Sequence, residues 1–284
     1  MNEELLIQQI LGKDARIISP ISGGMMNRSF LSEYKNKKYI LYISTEQANE
    51  MVDRPLEKEN QQLVYELGIT SKNVYFDTDK GIKVNEFIDG TSIDKTNDYD
   101  PKKVAELLKT LHSSKKLSRE DYGPFKRFIA YENEALSFVK DFDDDYKVIR
   151  NELLANQVFL ESQEKTLCHN DSQRSNIVKG DDGKYYLIDF EFVGNNDPIY
   201  DISAFGNGLV KEGFEVLKET YGNPTDDEKR RYYLWRIFLS LQWHNVAIVK
   251  HYRGEGEKHG FNFLDVAKHF FLNATEAYNE LKRI

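Results

Sequence analysis

Residues 169–191 hold the densest run of chemically capable side chains in the sequence. His169-Asn170-Asp171 is followed four residues later by Asn176, then by a short hairpin and Leu187-Ile188-Asp189-Phe190-Glu191. This set suits the transfer of a phosphoryl group. Such a transfer asks little covalent chemistry of a protein. The acceptor hydroxyl must be positioned, its proton accepted, and the charge on a nucleoside triphosphate neutralised by Mg²⁺. Asp171 stands as the base, while Asn176 and Asp189 supply the hard oxygen ligands that Mg²⁺ prefers. Asp182-Gly183 reads as a two-residue type I′ turn, which would set Asn176 directly opposite Asp189. The plainer reading is that Asp171 and Asn176 only cap turns, as those residue types often do.

The elements that must position this run fall into two halves. Residues 2–12 pattern as an amphipathic helix ended by Gly12, and residues 16–22, 29–34 and 39–43 as strands. Gly23-Gly24-Met25-Met26-Asn27 joins the first two strands and Lys35-Asn36-Lys37-Lys38 the next pair. A helix with Pro55 in its first turn runs to Gly68. Strands around 74–76 and 82–87 flank Asp79-Lys80-Gly81, and Ile88-Asp89-Gly90-Thr91 reads as a hinge. Beyond residue 100 the pattern is helical over 101–114, 126–163, 226–252 and 261–282, with the hairpin as the main β interruption. The class is therefore α+β, with a β-rich lobe over 1–89 and a mostly helical lobe over 90–284. A cleft between two lobes is where small ligands usually bind. The turn carrying Gly23, Gly24 and Asn27 can lay backbone N–H groups over phosphates, although Gly-Gly is also an ordinary hairpin turn. Neither a Walker A sequence nor a Rossmann glycine pattern occurs, which removes the P-loop and dinucleotide readings.

Composition narrows the class further. The 284 residues are 40% hydrophobic and 13% aromatic, enough to bury the core of one large or two modest domains. A net charge of −8 argues against a nucleic-acid surface and suits a small cationic substrate. Cys168 is the single cysteine, so no intramolecular disulfide forms and a reducing compartment is expected. Its apolar neighbours make it a buried strand residue rather than a nucleophile. Met1-Asn2-Glu3-Glu4-Leu5 lacks the basic start of a signal peptide, and no run approaches the length of a membrane span. The expected location is cytoplasmic, without membrane insertion; the oligomeric state leaves no trace in the pattern.

His-x-Asp-x4-Asn is the spacing of kinase catalytic loops, and Asp189 stands where their second metal-binding Asp stands. The chain resembles the choline/ethanolamine kinases, especially the bacterial LicA type, within the aminoglycoside-phosphotransferase-like and protein-kinase-like superfamily. The resemblance rests on Ser22-Gly23-Gly24 through Asn27, on Arg54, Glu57 and Asn60, and on Gly81-Ile82-Lys83-Val84-Asn85-Glu86-Phe87. It continues through Leu111-His112, Cys168-His169 with Asp171, Leu187-Ile188-Asp189-Phe190-Glu191, Asn196-Asp197-Pro198 and Asp201. It implies a two-lobed protein-kinase-like fold using ATP and Mg²⁺, with Asp171 as base and Asn176 and Asp189 as metal ligands. Glu86, Phe87 and Ile88 would be the strand whose backbone holds adenine, and Glu57 the helix glutamate that orients a phosphate-binding cation. One departure is serious: Tyr42 fills the strand position where the family has Lys or Arg. Lys38 shares that strand face but lies four residues away, roughly 13 Å. Arg54 or a second metal is left to compensate.

In the family a cationic alcohol is held by carboxylates and π faces, because a quaternary ammonium donates no hydrogen bond. Glu191 and Asp197 are the acidic candidates here, and Phe192, Tyr200, Trp235 and Trp243 the aromatic ones. The paired tryptophans common in the family are reduced to Trp243, and Trp235 and Trp243 also read as core on one helix face. Arg174 and Ser175 replace a common Pro-Glu. The leading reading is an ATP-dependent kinase for choline or a related amino alcohol. A second is a kinase for another alcohol, an aminoglycoside or a vitamin alcohol, although the ending Leu281-Lys282-Arg283-Ile284 lacks the carboxylate- and Phe-containing tail of many aminoglycoside kinases. A third is a nucleotide-binding pseudokinase, motivated by Tyr42 and opposed by the intact Asp171, Asn176 and Asp189.

Overall fold

Local chemistry sets many helix starts. Asn2, Asp53, Asp100, Thr225 and Asn262 each precede a helix and accept a hydrogen bond from its first turn, satisfying a donor that has no partner within the helix. Pro55 and Pro101 occupy first-turn positions where a missing N–H costs nothing. The computed structural model describes residues 2–21, 27–96, 98–256, 260 and 262–284. They divide into two compact units: residues to Tyr99 with Lys116–Arg119 and Arg174–Gly194, and Asp100–Lys115 with Glu120–Gln173 and Asn195–Ile284.

The first unit runs α1 (Glu3–Leu11), β1 (Arg16–Ile21), β2 (Asn27–Tyr34), β3 (Lys37–Ser44), α2 (Glu46–Met51), α3 (Arg54–Tyr65), β4 (Asn73–Asp77), β5 (Ile82–Glu86), β6 (Gly90–Ser92) and α4 (Ile93–Thr96). The first five strands form one antiparallel sheet in the order β1-β2-β3-β5-β4. Leu41 of β3 and Ile82 and Val84 of β5 join Leu6 and Ile7 of α1 in one hydrophobic cluster. Strand alternation then sends Tyr42 and Lys83, a directly opposed pair, to the other face. There Gln61 of α3 donates to Asn85 of β5 at 3.1 Å.

The second unit contains α5 (Pro101–His112), α6 (Pro124–Leu136), α7 (Asp144–Ala155), α8 (Gln157–Glu161) and β7 (Thr166–Cys168). The chain returns to the first unit for a 3₁₀ turn (Arg174–Asn176), β8 (Ile177–Gly180) and β9 (Tyr185–Leu187). It then completes the second with β10 (Gly194–Asn196), α9 (Pro198–Phe205), α10 (Val210–Tyr221), α11 (Asp226–Tyr252) and α12 (Phe263–Leu281). The 27-residue α11 is the spine: Trp235, Ile237 and Phe238 are fully buried, and Ala247 and Ile248 pack with Phe263 and Ala267 of α12. No helix among the described residues is long and apolar enough to cross a membrane.

Several expectations shift. The helical pattern over 126–163 breaks into α6, α7 and α8, and the hinge at Ile88-Asp89-Gly90-Thr91 runs into β6, which pairs with β8. That pairing, with the Leu187 N–H donating to Ile69 O at 2.9 Å, packs the β8–β9 hairpin into the first unit, which extends to Tyr99. Helices α2, α9 and α10 were not expected; two of them span only 6 and 8 residues, too short for a periodic pattern to stand out.

Candidate active site

Five ionisable side chains converge within the first unit. Glu57 of α3 is buried, with Oε1 accepting from Lys83 Nζ at 2.5 Å and Oε2 from Arg54 Nη1 at 2.6 Å. Arg54 Nη1 also donates to Glu191 Oε1 at 3.1 Å, and its Nε to Asn49 at 3.1 Å. Lys83 Nζ lies 5.0 Å from the centre of the Tyr42 ring, a cation–π arrangement. Burial would raise the pKa of Glu57, but Lys83 and Arg54 outweigh it and hold the carboxyl below its ordinary value. Burial would likewise lower Lys83, yet Glu57, Asp189 and Glu191 keep it above the usual lysine range.

Asp189 is the fifth group, and it behaves differently. Its Oδ1 is sealed from solvent with no hydrogen-bond partner, and its backbone adopts φ +69°, uncommon for a residue with a Cβ. Burial first, then repulsion from Glu191, pushes its pKa up despite Lys83. Three carboxylates here face two cations, so the cluster is short of positive charge. An orphaned hard oxygen in a cation-deficient pocket fits a divalent metal.

The hairpin register differs from the expected one. Gly180 N–H donates to Lys184 O, leaving three residues, Asp181 to Gly183, in the turn, with Gly183 at φ +79°. The extra residue slips every pair by one: Ile177 faces Leu187, and Ile188 N–H donates to Asn176 O at 3.0 Å. Asn176, in the 3₁₀ turn, is therefore opposite Ile188 and not Asp189, which follows immediately.

In the second unit the catalytic-loop sequence hangs on one buried carboxylate, Asp201 of α9. Its Oδ2 accepts from His169 N–H at 2.8 Å and from His112 Nε2 at 2.8 Å; Oδ1 accepts from Asn170 N–H at 2.7 Å. Ser172 Oγ donates to the Asp201 carbonyl at 2.6 Å. Burial opposes ionisation, but the hydrogen bond and charge of His112, with the His169 amide, hold the Asp201 pKa below its ordinary value. Asn170 takes φ +62°, with Nδ2 on Cys168 O and Oδ1 accepting from Asn196 Nδ2 at 2.9 Å. Asp171 follows, half-buried, its N–H on His169 Nδ1 at 3.3 Å and its Oδ2 accepting from Gln173 at 3.3 Å. Cys168 is fully buried on β7, as expected.

The expected acceptor residues fall in both units, and each has partners within its own. Glu191 belongs to the first unit, where Arg54 and Asn27 Nδ2 (2.7 Å) engage its carboxylate. Asp197 caps α9 and accepts from Trp235 Nε1 at 2.8 Å, with Arg231 at 3.4 Å. Tyr200 meets Trp235 and Tyr122 edge-on, at 5.1 Å and 5.5 Å between ring centres. Trp243 lies two turns further along α11 and stacks on Phe270 of α12. Both carboxylates named for a cationic head group thus serve internal partners. Arg174 packs over the Tyr99 ring at 5.0 Å and reaches Ile93 O.

Of the expected nucleotide residues, Gly23 and Gly24 lie outside the described residues. Asn27 begins β2, between Ser44 and Glu191. The N–H groups of Glu86 and Phe87 donate to Lys72 O and Lys38 O, while the Ile88 backbone has no hydrogen bond among the described residues. An open cavity of about 430 Å³ beside Ile88 has Asp89, Asp181 and Asp182 in its lining, charges unsuited to a polyphosphate. Lys83 and Asp201 are the functional candidates that sequence reasoning left without a role. Lys83 alternates with Asn85 on one face of β5, so strand periodicity alone reads it as an ordinary polar-face residue.

Three comparisons bear on this geometry. A family model described as choline/ethanolamine kinase matches residues 18–221. Protein LicA of Haemophilus influenzae is 26% identical over 265 residues, covering 86% of this chain and 75% of that protein. The crystal structure of choline kinase LicA from Streptococcus pneumoniae superimposes with a TM-score of 0.74 at 24% identity, over 99% of each chain. A structure of LicA in complex with AMP gives a TM-score of 0.73 at 25% identity, over 99% of this chain and 97% of that one. The fold is therefore the α+β, protein-kinase-like one.

Proposed function

The chain belongs to the choline/ethanolamine kinase family, a family of small-molecule kinases, and from that premise we propose that it transfers the γ-phosphoryl group of ATP to the hydroxyl of choline or a related amino alcohol. The observation that carries the chemistry is the sealed, unpartnered Oδ1 of Asp189 in a left-handed backbone, within a cluster short of positive charge. In this reading Asp189 and Asn176 hold Mg²⁺, which neutralises charge on the nucleotide phosphates. Asp171 accepts the proton of the attacking hydroxyl, and the Asp201 hydrogen bonds keep its loop in one conformation, which removes a reorganisation cost from the reaction. Ile88 offers its free backbone groups to adenine. The acceptor assignment rests on family membership, since Tyr200 and Trp235 are buried in the core and Arg127 already covers the Tyr122 ring at 4.9 Å. The site is assigned to the soluble, cytoplasmic interior, where ATP and Mg²⁺ are abundant.

Purified protein should release ADP from ATP and Mg²⁺ when given choline or ethanolamine, and chelating the metal should stop it. Asp189→Ala should bind ATP with little dependence on Mg²⁺, read by titration calorimetry. Phosphorylation of an aminoglycoside or a neutral alcohol, with choline and ethanolamine inert, would remove the acceptor assignment and leave the kinase. An absence of ADP release with every alcohol, in protein that binds ATP, would favour a nucleotide-binding pseudokinase.

A further inference from the structure

Lys83 is a buried ammonium with a deficit of acceptors. Its three N–H donors meet one oxygen, Glu57 Oε1 at 2.5 Å, and no other hydrogen-bond acceptor among the described residues. Aromatic faces fill the rest of its surroundings: Tyr42 at 5.0 Å and Phe76 at 5.9 Å from the ring centres. A π face attracts the charge but does not saturate the donors. The same α3 glutamate is also held by Arg54, so Lys83 is not required merely to neutralise it. Arg54 is engaged through Nε and Nη1 by Asn49, Glu57 and Glu191, which leaves only its buried Nη2 without a partner, against two open donors on Lys83. Lys83 therefore has the composition of a site built for an additional anionic oxygen ligand.

Its place in the sheet says which one. Lys83 on β5 is the direct partner of Tyr42 on β3, and cross-strand partners project from the same sheet face. Their Cβ atoms are about 5 Å apart, so a long side chain from either position reaches the same space. We infer that Lys83 is the phosphate-binding cation of this protein, supplied from β5 with Tyr42 as its π floor, so that the charge absent from β3 is restored from the neighbouring strand. This rests on the nucleotide reading of the site and extends it by naming the residue that separates ADP and ATP from adenosine. Lys83 keeps one donor on Glu57 and turns the others to phosphate oxygens, while Asp189 takes the metal.

The test is binding rather than turnover. Adenosine, ADP and ATP, with and without Mg²⁺, are titrated by calorimetry into wild-type protein and Lys83→Met. The variant should lose ADP and ATP affinity on the order of ten- to a hundredfold, as for charge-assisted hydrogen bonds, with adenosine affinity unchanged. Should Lys83→Met fail to fold, Lys83→Met with Glu57→Gln removes the buried pair as a unit, so that Glu57 is not left as a charge without its lysine. It should show the same selective loss. Retained preference for ADP over adenosine in a folded variant overturns the assignment of Lys83 and leaves the nucleotide site standing. Wild-type protein that binds neither adenosine nor ADP overturns both.

Discussion

Two buried carboxylates, one in each unit, are held in opposite ways. Glu57 in the first unit is gripped by charged side chains from β5 and from its own helix, Lys83 and Arg54. Asp201 in the second is gripped by two backbone amides of one loop and by His112. The cluster around Glu57 is incomplete: it has more negative than positive charge, an orphaned oxygen on Asp189, an orphaned Nη2 on Arg54 and unused donors on Lys83. The Asp201 shell is saturated. An incomplete charge cluster asks for a ligand, whereas a saturated one fixes a backbone. The first arrangement suits binding a metal and a polyphosphate; the second suits holding a base still.

The largest effect should come from Asp171, the base proposed above, which the saturated region carries. Asp171→Ala is expected to lower kcat on the order of 10²–10⁴-fold with ATP affinity nearly unchanged. Full turnover in that variant would break the assignment of roles between the two regions.

Next is the anchor. Asp201→Ala leaves two loop amides and His112 without their acceptor and should lower stability by roughly 2–4 kcal/mol, measured by denaturant unfolding. The conservative Asp201→Asn, which retains one acceptor oxygen, should fall between. An anchor variant that melts like wild type would mean the loop is held by something else.

The incomplete cluster is sharpened by moving its charge. Tyr42→Lys alone sets two ammonium groups directly opposite each other, so it should destabilise the protein by on the order of 1 kcal/mol and leave ATP affinity no better. Tyr42→Lys combined with Lys83→Tyr exchanges the two side chains across the ladder and should recover most of the ADP affinity lost in Lys83→Met. A single Tyr42→Lys that tightens ATP would show that Lys83 leaves the phosphates short of charge.

The smallest effect is a difference in acid sensitivity. Asp201 has a folded pKa below its unfolded value of 3.8, so it contributes stability that is fully present above that value. The contribution is lost as pH falls through 3.8 towards the lower folded value, because the unfolded state then binds more protons. The acid limb of the stability curve should therefore be shallower in Asp201→Asn than in wild type, by at most about 1.4 kcal/mol per pH unit. Equal slopes would mean that Asp201 does not titrate differently on unfolding.

Much of this was legible in the chain itself. Caps, first-turn prolines and alternation located α1, α3, α5, α11 and the strands of the first sheet within a few residues, because those signals act between near neighbours. The string from His169 to Asp189 named the chemistry, since the residue types and short spacing are themselves the requirement. The hairpin register was missed by one residue: whether Asp182-Gly183 or Asp181 to Gly183 forms the turn depends on how β8 also pairs with β6. Packing alone decided the rest. Lys83 meets Glu57 across 26 positions, Arg54 meets Glu191 across 137, and His112 meets Asp201 across 89. No local pattern encodes such pairs, because each forms only when separate elements bury their polar faces against one another and must satisfy them there. The same packing gave Glu191 and Asp197 internal partners, a guanidinium for one and an indole N–H for the other, which no local pattern announces.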